Sequence, residues 1–257
     1  MIAQFTLRLI FGMALTWCWM PRSEVTCGFF RIQMLVAVGL GVLGLLEVGS
    51  LPAVESATSL LGPMALRILC GVVVVASFLG SVYWTLARRA GGAILCGVVL
   101  FASGAALVGG ISRELFRTTS SGALAVGSEL AAGWLIGGAV TAMLLGHWYL
   151  TAPMMKLSPL QRLNLGLGGA ALVRGAIAAV AWATLDRLAA SSTHDLWLAL
   201  RWLCGIAAPI IMAVLVRQIL RYRNTQSATG VLFAAVILVF IGETTAAVLS
   251  RDLRWPL

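Results

Sequence analysis

Eight stretches of about 20 predominantly apolar residues follow one another along this chain. They lie near 3–20, 34–54, 66–86, 92–112, 122–146, 166–185, 196–218 and 230–250. A run of that length and composition is what an α-helix needs to cross a bilayer. The runs are continuous rather than alternating, which excludes a transmembrane β-barrel. No loop between them is long enough for a separate soluble domain. Composition agrees: 60% of the 257 residues are hydrophobic and 11% charged. Soluble domains run at roughly 45–50% and roughly 25%. The fold class expected is an all-α polytopic membrane protein of about eight transmembrane helices.

The chain carries 18 Lys and Arg against nine Asp and Glu, a net charge of +9. In a soluble protein that excess would suggest a nucleic-acid partner. Here the arginines flank apolar runs, which fits membrane topology and leaves no nucleic-acid face. One set of loops holds Arg22, Arg31, Arg88, Arg89, Lys156, Arg162, Arg217, Arg221 and Arg223. The opposite set and the C-terminal tail hold Arg113, Arg117, Arg187, Arg251 and Arg254. The positive-inside rule places the first set in the cytoplasm. With eight spans both termini are then expected on the non-cytoplasmic side, in a bacterial inner membrane. Residues 1–20 read as a retained first span, because the first charge, Arg8, lies inside the apolar run and no small-x-small cleavage site follows.

The chain also repeats itself. Ala65-Leu66-Arg67-Ile68-Leu69-Cys70-Gly71 opens the third span, and Ala199-Leu200-Arg201-Trp202-Leu203-Cys204-Gly205 opens the seventh; six of the seven positions are identical. Gly92 to Leu115 aligns without a gap on Gly230 to Leu253, and Phe30-Arg31-Ile32-Gln33 aligns more weakly on Gln161-Arg162-Leu163-Asn164. Three matches in order, at similar offsets, point to tandem duplication. Each half has four spans, so the repeat is parallel rather than inverted. The expected organisation is two four-helix units, 1–120 and 121–257. The recurring Arg67, Arg201, Arg113 and Arg251 read as structural, with Arg67 and Arg201 snorkelling from the first turns of their spans to the headgroups.

Ionisable groups within spans are costly and mark the places to look for function. Four stand out: Glu47, Glu129, Arg174 and Glu243. Glu243 breaks the repeat, because its counterpart is Ala105; Arg174 has no basic counterpart in the second span. The expectation is a carboxylate–arginine group, pairing Arg174 with Glu47, Glu129 or Glu243. It would be either a structural clamp or a proton path through Glu129, Arg174 and Glu243. Gly146-His147-Trp148-Tyr149 ends the fifth span. It reads as an interfacial aromatic belt, with His147, Trp148 and Tyr149 as the candidate contact for a quinone or lipid.

Much familiar chemistry is missing. The two histidines, His147 and His194, fall at opposite ends of spans running in the same direction, which rules out a shared bis-His haem. The five cysteines form no CxxC pair and match no disulfide or zinc template. Thiols and Met154-Met155 are not grouped at helical spacing, so no copper or other metal site is expected. There is no phosphate-binding loop and no nucleophile elbow, and no catalytic residue is assigned. The expected role is a membrane subunit, not an enzyme by itself, of an energy-transducing or electron-transfer complex. Its partners would be lipids and other membrane subunits. The alternative is a small ion-coupled secondary transporter.

Overall fold

The computed structural model describes residues 2–152, 154–184, 192–253 and 255. Among them the secondary structure is helical, with one isolated bridge between Ser59 and Ser112. In chain order the helices are α1 (Ile2–Trp19), α2 (Cys27–Glu47), α3 (Pro52–Glu55), α4 (Pro63–Thr85), α5 (Arg89–Gly109), α6 (Thr119–Thr151), α7 (Ser158–Ala183), α8 (Ser192–Trp202), α9 (Ala208–Arg221) and α10 (Thr225–Leu253). A π-helical turn, Leu203–Ala207, joins α8 and α9 into one span. Eight helical segments of the described residues are long and apolar enough to cross a membrane. The class is an all-α polytopic membrane protein.

Two spans begin earlier than the apolar runs predict. α2 starts at Cys27 rather than near 34, and takes in Arg31 and Gln33. Its first turns are held by buried Phe29 and Phe30, the latter stacked on Trp84 at 4.4 Å between ring centroids. α7 starts at Ser158 rather than near 166. Pro159, which the apolar pattern assigns to a connection, instead occupies the first helical turn. There a missing N–H costs nothing and a fixed φ favours the helix. Helix ends are marked by left-handed residues that are not glycine: Ala57 after α3, Ala87 after α4 and Arg223 after α9. Asn224 then starts α10, its Oδ1 accepting the Ser227 N–H at 3.0 Å.

Packing divides the chain into Met1–Gly137 and Gly138–Leu257, a division that falls inside the 33-residue α6 and not near residue 120. The reason lies in the first unit. A Cβ on Gly12 would sit 1.8 Å from the Gly133 carbonyl oxygen, and one on Gly137 would sit 2.3 Å from the Met13 nitrogen. α1 therefore meets the first part of α6 backbone to backbone, through a Gly-x-x-x-Gly face. In the same unit α1 packs on α2 and α5, and α4 packs on α2 and α5. Ala3, Leu7, Val48, Leu51, Leu66, Cys70, Ala106 and Leu107 form a common core there. α5 buries Cys96, Val99 and Ser103 and turns Ile94, Val98 and Phe101 outward. It is apolar on both faces, as a helix between protein and lipid must be. In the second unit α7 packs on α9, and α10 packs on α8 and α9.

Candidate functional site

Three charged side chains converge in the second unit. Arg174 of α7 grips Glu243 of α10 through two nitrogens: Nε donates to Oε1 at 3.1 Å and Nη2 to Oε2 at 3.1 Å. Arg201 of α8 donates from Nη1 to Oε1 of the same carboxylate at 2.5 Å. Relative exposures of 0%, 2% and 1% for Arg174, Arg201 and Glu243 put all three out of contact with solvent. Arg174 lies nine residues from the end of α7, Arg201 nine from the start of α8, and Glu243 ten from the end of α10. At about 1.5 Å per residue that is roughly 14–15 Å along each helix. The cluster is therefore deep in its spans, where charge is costly.

Backbone geometry brings these groups together. Gly242, beside Glu243, meets Gly205, one turn beyond Arg201. A Cβ on Gly242 would lie 2.1 Å from the Gly205 Cα, and one on Gly205 would lie 3.0 Å from Arg201 Nη1. Gly205 is inside the π-turn, and Pro209 stands just after it in the first turn of α9. Proline has no N–H for the carbonyl four residues back, which is that of Gly205, and its ring crowds that carbonyl. Widening the helix before the proline relieves both conflicts.

A second cluster lies in the first unit. Arg8 of α1 forks onto Glu129 of α6, Nε donating to Oε2 at 2.8 Å and Nη2 to Oε1 at 2.6 Å. Gln4 adds a bond from Nε2 to Oε1 at 2.6 Å. Gln4 and Arg8 are four residues apart, hence on one face of α1. The Glu129 side chain is 13% exposed, so this pair is less secluded than the other. A double-mutant cycle on Arg8→Gln and Glu129→Gln is expected to give a coupling energy of about 0.5–3 kcal/mol, as for groups in one network. It is read by unfolding in mixed micelles, and additive single effects would show that the two side chains do not interact.

The other residues singled out by sequence fall elsewhere. Glu47 is the last residue of α2, half-buried, and accepts a bond from Ser50 Oγ at 3.1 Å. It is a helix-end group, because α2 begins and ends earlier than the apolar run implies. Arg67 is exposed near Gly49. Its sequence counterpart Arg201 is buried, and for Arg201 snorkelling is overturned: a carboxylate waits at Glu243, where the other half has Ala105. Arg113 is not at a helix end but in a 3-10 segment, Arg113–Arg117, where Nη2 donates to the Leu60 carbonyl at 3.2 Å. Arg251 is exposed in the last turn of α10. At the end of α6, His147 is exposed, Trp148 half-buried and Tyr149 buried, its hydroxyl donating to the Lys156 carbonyl. Sequence reasoning passes over Gln4 and Arg8 as partners for Glu129. The available signal is Arg8 itself, a charge inside the first apolar run.

An apolar, all-helical bundle with deep ion clusters defines a multi-pass membrane protein. No family model matches the chain, and no curated protein or solved structure matches it.

Proposed function

We propose that the chain is an integral membrane subunit, non-catalytic by itself, of an energy-transducing or electron-transfer complex. The observation that carries this reading is that the deep charges close into clamps between helices. Arg8 and Gln4 hold Glu129 across α1 and α6, while Arg174 and Arg201 hold Glu243 across α7, α8 and α10. Such clamps fix helix register in a scaffold. Exposed stripes such as Ile94, Val98 and Phe101 would face lipid or neighbouring subunits. His147 beside Trp148 is the residue we assign to a quinone or lipid contact at the span end. The tandem duplication, the inner-membrane setting and the orientation with both termini outside belong to the same proposal. They rest on the repeated segments and the arginine bias.

Gentle solubilisation from the native membrane, followed by native mass spectrometry, tests it. The expected result is a stoichiometric assembly with a subunit that carries a redox or energy-coupling cofactor. A chain that emerges alone and takes up solute in proteoliposomes would overturn it. That outcome is the second reading, an ion-coupled carrier, and it is favoured by one observation: the π-turn beside the cluster interrupts the seventh span, while the corresponding α4 is unbroken. On the carrier reading, Glu243→Gln abolishes uptake.

A further inference from the structure

The formal charge of the first unit is unevenly placed. At the end where α2 leads into α4 and α5 into α6, Arg67, Arg113 and Arg117 stand against Glu47, Glu55 and Glu114, and the charges cancel. Arg8 and Glu129 cancel within the spans. At the other end Arg22, Arg31, Arg88 and Arg89 stand against Glu24. The whole positive excess of the unit therefore lies where the α1–α2 and α4–α5 connections meet.

Those two connections form one surface. Arg89, the first residue of α5, donates from Nη1 to the Arg22 carbonyl at 2.6 Å and to the Val25 carbonyl at 3.4 Å. Arg88 is exposed beside it, its backbone N–H bonded to the Tyr83 carbonyl at 2.9 Å. Three arginines thus come together across two turns, with Arg89 held in place and Arg22 half-buried. The turns are short, residues 20–26 and 86–88, so the surface stays close to the span ends. Trp19 and Tyr83, exposed in the last turns of α1 and α4, mark that level as the membrane–water interface. Lipid phosphates lie at that depth, and the guanidinium fork matches their oxygens. A protein partner would have to reach down to it.

We propose that Arg22, Arg88 and Arg89 form a headgroup site for one anionic phospholipid. The lipid phosphate supplies the negative charge that this end of the unit lacks, and the acyl chains lie along the apolar spans. The site does not depend on whether the chain is a complex subunit or a carrier.

The test uses the full chain, delipidated in a nonionic detergent. Phosphatidylglycerol or phosphatidylcholine is titrated back, and bound lipid is counted by native mass spectrometry. The expected result is saturable retention of phosphatidylglycerol above phosphatidylcholine. Raising salt from about 0.05 to 0.5 M weakens it, because screening shortens the reach of the charges. Arg22→Gln and Arg88→Gln each weaken retention roughly fivefold, the worth of one arginine near an anionic lipid surface. Arg67→Gln, at the balanced end, leaves it unchanged. Arg89 is kept, since its bonds join the two turns. Equal retention of the two lipids overturns the proposal, as does equal weakening by Arg67→Gln and Arg88→Gln. Binding of poly-glutamate in place of phosphatidylglycerol also overturns it and assigns the surface to an acidic protein. The lipid preference and its salt dependence are read on wild type, so they decide the matter even where a variant does not fold.

Discussion

Glu243→Gln is expected to destabilise the folded chain by about 3–5 kcal/mol, the cost of removing one partner from a buried ion pair. The amide keeps the shape of the side chain and removes its charge. Arg174 and Arg201, both out of contact with solvent, then lose the carboxylate that each of them grips. Replacing all three together, as Arg174→Met, Arg201→Leu and Glu243→Met, is expected to restore much of the loss, because no ion is then left uncompensated. Glu47→Gln is the control. Its carboxylate is half-buried at a helix end, and a change there should stay within about 0.5 kcal/mol. Reversible unfolding of purified protein in mixed micelles measures all of these. If Glu243→Gln costs no more than Glu47→Gln, the cluster is not a clamp.

Gly242→Ala is expected to be nearly as damaging for a different reason. The new methyl would lie 2.1 Å from the Gly205 Cα and 2.3 Å from its nitrogen. Both are backbone atoms, so no side-chain rotation relieves the overlap and α10 must move away from the span containing Arg201. Overpacking of this kind costs about 1–3 kcal/mol, occasionally more. Glu243 travels with Gly242, so its bond to Arg201 stretches as well. Gly230, on the same helix, has open space for 4 Å around the place a Cβ would take. Gly230→Ala should therefore stabilise by about 0.5–1 kcal/mol through helix propensity alone. Thermal unfolding of the two variants beside wild type decides the matter, and shifts of the same sign would refute the close crossing.

How far the sequence disclosed this arrangement depended on the range of the interaction. The spans were legible because a bilayer demands about 20 apolar residues in a row, and each run carries that demand within itself. Their starts were less so. Pro159 looks like a break but is suited to a first turn, and Arg31 looks like a loop residue but follows buried Phe29 and Phe30. The fates of Arg67 and Arg201 could not be separated locally, since their segments differ at one position in seven. What separates them stands on another helix, where Glu243 occupies the position that Ala105 has in the other half. The mismatch was visible, but its partner was not, because Arg174, Arg201 and Glu243 meet only when three helices pack. Glu129 was visible in the same way, yet Arg8 lies 121 residues earlier. Pro209 was the single written sign of the π-turn.

That turn also says how the aim of Arg201 is encoded. A π-turn holds one residue more than the α-helical path it replaces. Were all five residues Leu203–Ala207 wound instead as regular α-helix, the chain before them would swing by roughly 100° about the helix axis relative to α9. Every side chain of the cluster would be intact, yet Arg201 would look away from Glu243. The direction of this arginine is thus set by how the backbone winds just after it, and not by the Ala-Leu-Arg segment that α4 shares.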